Sequence, residues 1–155
     1  MLLRRIQDLL AGIYDLRVDC DVRDFLTCDR ALLPRELQDS GTDEQLLVAA
    51  HDDELAMSLF LDPALLERLD ATDPLAALHG QNVGDFWTAL EGVSHFLCVA
   101  WNAGHDRGVS LLDLEMQAEI DKYVTSCWLL RGQAPERFPV ELHPLLFRSA
   151  QVDPG

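Results

Sequence analysis

Lysine is almost absent from this sequence. Lys122 is the only one, and with the arginines it brings the basic residues to 12 against 27 acidic ones, a net charge of -15. That deficit removes the cationic surface on which counterion release from a phosphate backbone depends, so no nucleic acid is expected as a partner. It speaks equally against docking on an anionic membrane surface. A protein with a basic surface is the natural complement.

Long apolar runs are missing too. None approaches the ~18 residues of a spanning helix. The opening stretch MLLRRIQDLLAGIYDL interleaves arginine and aspartate with its leucines, so it reads as neither a signal peptide nor an anchor. A soluble, cytoplasmic chain is the expectation. Cysteine is sparse: Cys20, Cys28, Cys98 and Cys127 include no CxxC pair. Neither a disulfide framework nor a thiolate metal knuckle is expected from that spacing, and buried reduced thiols are the default. No HExxH or GxSxG motif occurs, and no glycine-rich phosphate loop; Gly104 and Gly108 merely flank a turn.

What the chain does have is ordinary globular stock, 48% hydrophobic and 25% charged over 155 residues. That suits a single domain spanning 1–155. Leu2, Leu3, Ile6, Leu9, Leu10, Ile13 and Leu16 follow the three-four spacing of an amphipathic helix. Val18, Cys20 and Val22 then alternate with charged residues and read as a half-buried strand. A short helix is expected over 29–38, with Pro34 in its first turn or breaking it. Residues 46–50 and 54–61 read as a β-hairpin around His51, Asp52 and Asp53, with Leu55, Met57, Leu59 and Leu61 on the face toward the helices. The tip could attract a cation, although aspartates also serve turns through local hydrogen bonds.

Two Asp-Pro pairs, at Asp62 and at Asp73, each predict a capped short helix, the second closed by Gly80. A long helix is expected from Asn82 to about Asn102. After AGHDRG, Ser110 and Asp113 resemble a capping box that opens a second long helix running to about Arg131. The tail PERFPVELHPLLF is expected to pack over the domain as an extended segment. The fold class that follows is α+β: a small three-stranded antiparallel sheet covered by helices, ending in a long antiparallel helical hairpin.

The two long helices carry the one constellation with chemistry in it. The first is apolar almost all round, and its remaining residues, among them Glu91, His95 and Cys98, fall in a strip roughly 80° wide at 3.6 residues per turn. The second has two polar arcs, Asp113, Gln117 and Asp121 on one side, Glu115, Glu119, Lys122 and Ser126 on the other. A tight antiparallel connection centred near Asp106 levels Glu91 with Lys122, and His95 with Glu115 and Glu119. Glu91, His95, Glu115, Glu119 and Lys122 then form a polar seam, in which Lys122 neutralises Glu91. The alternative is a metal site of Glu91, His95, Glu115 and Glu119, holding zinc or a di-metal centre, because bundle metal sites draw Glu and His from facing helices. Here the Glu and His stand four apart rather than three, and an ammonium at the level of Glu91 repels a cation. A metal-free acid–base site, or a Cys98–His95 nucleophile pair, uses the same strip.

No motif names a reaction, so whether the chain is an enzyme stays open. The first reading is a non-enzymatic acidic interaction protein, an adaptor or small chaperone binding another protein, with no cofactor; homo-oligomers are compatible with it. The alternative is a metal-dependent enzyme, such as a hydrolase, at the Glu/His cluster. A regulatory small-molecule binder in the same cleft is a third.

Overall fold

The computed structural model describes residues 1–133; the tail predicted to pack over the domain lies outside the described residues. The chain opens with α1, Leu2–Tyr14. Its leucines and Ile6 recur on one face and bury Leu2, Leu3, Ile6 and Leu10. Asp15 stops the helix in the left-handed region at φ 51°, its N–H returning to the Ala11 carbonyl.

The next segment corrects an expectation. Residues 18–22 form no strand. Gln7, buried on α1, donates to the Cys20 carbonyl and accepts from the Val22 N–H, each at 2.8 Å. The side chain of a helix thus supplies the backbone pairing that a neighbouring strand would give. Asp21 then caps a single 3-10 turn, Val22–Phe25. The third strand is the short β1, Leu26–Thr27, and it runs parallel to the hairpin strand beside it. The predicted 29–38 helix is also split at Pro34, into a 3-10 turn and α2, Arg35–Gln38.

The hairpin stands as expected. β2, Glu44–His51, pairs antiparallel with β3, Glu54–Leu61, from Glu44 opposite Leu61 to His51 opposite Glu54. Asp52 takes the turn at φ 48°, a conformation aspartate tolerates. The strand order is β1-β3-β2, so the sheet is mixed rather than all antiparallel. Alternation places Leu59 and Leu61 in the core and Met57 at its edge. Leu55 departs from the prediction and is 39% exposed. Residues 48–56 around the hairpin tip are all exposed. At the base both faces are covered, because Phe60 is buried beneath the Arg30 guanidinium, 5.0 Å from the ring centre.

Asp62 accepts from the Ala64 N–H and, with Pro63 behind it, opens α3, Pro63–Ala71. The second Asp-Pro pair makes only a turn: Asp73 takes the Leu75, Ala76 and Ala77 amides, and the chain does not continue helically to Gly80. Buried Asn82 ties that loop down, accepting from the His79 N–H and donating to the Thr72 and Ala77 carbonyls. Then comes α4, Val83–Ala103, and after a short connection α5, Leu111–Gln133. Ser110 and Asp113 exchange the capping-box hydrogen bonds. α4 is the central helix. It packs on α1, α3, both hairpin strands and α5, and buries Phe86, Leu90, Val93 and Phe96. The architecture is α+β, as expected. Among the described residues no helix is long and apolar enough to cross a membrane.

Candidate functional site

The level-matching of α4 and α5 is realised. Lys122 Nζ reaches Glu91 Oε2 at 2.5 Å and Glu119 Oε1 at 2.7 Å. Trp87 Nε1 donates to Ser126 Oγ at 2.9 Å one turn further along. Burial depresses the Lys122 ammonium, but its bonds to Glu119 and Glu91 outweigh that and hold its pKa above the ordinary value. It is a fixed cation.

His95 lies at the inner end of the same seam, its side chain 8% exposed. Its Nε2 is 3.7 Å from Glu115 Oε1. Its Nδ1 is 3.7 Å from Glu44 Oε1. The Glu119 carboxylate, expected beside His95, turns to Lys122 instead, because the two stand one turn apart on α5.

Glu44 is the residue that sequence reasoning missed. It lies two residues before the strand expected at 46–50, yet it is the first residue of β2. Extending the alternation back from Leu46 puts Glu44 on the strand face that meets α4. Gly92 makes the approach possible. A Cβ there would stand 2.9 Å from Leu59 Cδ1 and 3.0 Å from Glu44 Cγ. Burial pushes the Glu44 carboxyl above its usual range, and Glu91 and Glu115 add to this against the pull of His95. For His95, burial lowers the pKa, but Glu44, then Glu91 and Glu115, raise it further, so the net direction is upward. The cluster therefore holds four carboxylates, one ammonium and one imidazole that favours its charged form.

Glu44, Glu91 and His95 each offer a possible ligand atom, all within 4.8 Å of one another. A zinc ion would need each of them at about 2.0–2.2 Å and uncommitted to another cation. Glu91 is committed to an ammonium. The residues fit an ion-pair seam better than a metal centre. Cys98 does not join His95: its backbone carbonyl accepts from Asn102, and its thiol, raised first by burial and then by Asp121, lines a separate cavity.

The other feature with functional content is the outer face of α5. Toward α4 this helix presents Ala118, Asp121, Lys122, Thr125 and Ser126, small or polar residues that are all buried. On the opposite side, at four-residue intervals, stand Leu112, Met116 and Ile120, exposed by 67%, 57% and 48%. The helix is inside out. Glu115 and Glu119 run along one flank of the apolar stripe. No protein-family model, curated protein or solved structure matches this chain.

Proposed function

We propose that this chain is a non-enzymatic interaction protein, an adaptor or small chaperone, whose docking face is the outer side of α5. The observation behind this reading is the stripe of Leu112, Met116 and Ile120 on a helix whose polar side is the buried one. A surface helix ordinarily turns its apolar stripe to the core. A contiguous exposed patch with a polar rim is a mark of interaction sites.

The occupant is a helix of another protein, with an apolar ridge and lysine or arginine beside it. Charge complementarity selects it. Glu115 and Glu119 rim the stripe, and the chain as a whole carries -15. A second copy would bring the same sign against itself, which costs affinity and slows encounter.

The test uses the full chain and amphipathic helical peptides of about five turns. One peptide carries a leucine ridge flanked by lysines, the other the same ridge flanked by glutamates. The lysine peptide binds, loses affinity with added salt, and is not bound by the Met116→Glu, Ile120→Glu double variant. Equal binding of both peptides, or of wild type and variant, overturns the reading. Two further outcomes also overturn it. Sedimentation that shows self-association lost in the variant makes a second copy the occupant. A clear fall in melting temperature of the variant shows that the chain itself covers the stripe.

A further inference from the structure

A cavity of about 340 Å³ opens between α1, α4 and α5, away from the Lys122 seam. Its walls are Leu10, Leu16, Leu97 and Trp101. Asp121 is set into it. This residue is 3% exposed, yet no ion pair reaches it among the described residues. It is held by neutral donors only. Tyr14 Oη and Gln117 Nε2 donate to Oδ1 at 2.6 and 2.8 Å, and Ser94 Oγ donates to Oδ2 at 2.6 Å.

A buried carboxylate without a cation is costly, and proteins ordinarily pair it. One position away on the same helix, Lys122 is paired with two carboxylates. Among the described residues no arginine or lysine pairs with Asp121; Arg107, near the same cavity wall, stands over the Trp101 ring, 5.8 Å from its centre. Three donors leave a carboxylate with room for one more, since its two oxygens accept about four bonds. The cavity is of the size that holds small molecules, and it has their usual make-up, apolar walls with a few convergent polar groups.

We propose that this cavity binds a small organic ammonium ion with an apolar body, the ammonium on Asp121 and the body against Leu97 and Trp101. An anionic ligand would meet Asp121 with the wrong sign. A bare divalent ion would find one carboxylate among hydrocarbon walls, where it needs six or more oxygens. Tyr14 fits the same picture: burial first, then hydrogen bonding to and the charge of Asp121, push its phenol well above the ordinary value, so it remains a donor at all physiological pH.

Three isosteric probes test this on the full chain: 2-phenylethylamine, 2-phenylethanol and phenylacetate. Each is titrated at neutral pH by calorimetry and by amide and indole proton–nitrogen spectra. The amine saturates, moves the Trp101 indole and Ser94 amide signals, and binds at least about tenfold more tightly than the alcohol or the acid. Asp121→Asn abolishes that preference. Leu97→Trp, which fills the cavity and leaves Asp121 in place, abolishes binding of the amine. Equal binding of alcohol and amine by the wild type overturns the proposal, as does the absence of saturable shifts up to about 10 mM. Unchanged amine binding by Leu97→Trp overturns it as well, whatever Asp121→Asn does to folding.

Discussion

Replacing Lys122 by methionine tests the seam most directly. The ammonium has two carboxylates within 2.7 Å, and its own side chain is 11% exposed. Methionine keeps the aliphatic stem and removes only the charge. Glu91, 27% exposed, is then left beside Glu44 and His95 without its ammonium. Breaking a fully buried pair costs about 3–5 kcal/mol, and an exposed one about 0–1. Glu91 lies between these limits and Glu119, 43% exposed, near the lower one. The expected loss is about 2–3 kcal/mol. For a chain of this length that lowers Tm by roughly 4–12 °C. Urea denaturation of the wild type, Lys122→Met, Glu91→Gln and the double variant gives the full cycle. The double variant recovers part of the loss, because the stranded carboxylate is gone; Glu119 keeps it from recovering all. A Lys122→Met change within about 0.5 kcal/mol of wild type, the range of ordinary surface substitutions, would refute the argument that this seam is a buried ion pair.

The imidazole gives a pH signature. His95 has a raised folded pKa, with Glu44 on β2, Glu91 on α4 and Glu115 on α5 facing it. Its contribution is therefore complete below the unfolded value of about 6.5 and is lost as pH rises through the folded one. Stability measured in urea falls as pH rises above about 6.5 in the wild type, and His95→Gln flattens that slope; an equal slope in both proteins rules the linkage out. Gly92→Ala gains helix propensity but places a methyl 2.9 Å from Leu59 and 3.0 Å from Glu44. Overpacking of about 1–3 kcal/mol outweighs a gain of about 1, so a net loss near 1 kcal/mol is expected, and a stabilised variant would show that the contact yields freely. Calorimetric titration with zinc is expected to give no saturable binding at micromolar metal, because Lys122 already holds Glu91; stoichiometric binding lost in His95→Ala would replace the seam with a metal centre.

The parts of the fold legible in the sequence are those where one local rule decides. α1 shows its core face in its leucine spacing, Asp62-Pro63 and Ser110 with Asp113 mark helix starts, and the tight link after Ala103 forces α4 and α5 antiparallel. That link is why Glu91 could be matched to Lys122 by counting alone. Two of the failures share a cause as well. In each, a side chain distant in sequence takes over a backbone or charge requirement. Gln7 satisfies residues 20 and 22, so an alternating pattern at 18–22 makes no strand. Glu44 stands outside the strand expected at 46–50, and only the close approach of the sheet at Gly92 brings it against His95.

The orientation of α5 was the least legible feature. Its apolar residues lie on two sides, and its polar residues on two others, so periodicity does not choose which side is buried. Tertiary pairing decides: Lys122 must meet Glu91, Trp87 must meet Ser126, and Ser94 must meet Asp121. Once those bonds hold the polar side against α4, Leu112, Met116 and Ile120 have nowhere to go but out. Directional polar bonds thus carry much of the contact between the long helices, with Ala118, Leu129 and Leu130 adding apolar packing. Such bonds fix register without demanding that the outer stripe be buried within the chain. A partner covering the stripe, as proposed, would add hydrophobic burial on that side of α5, and by mass action it would stabilise the folded chain on binding.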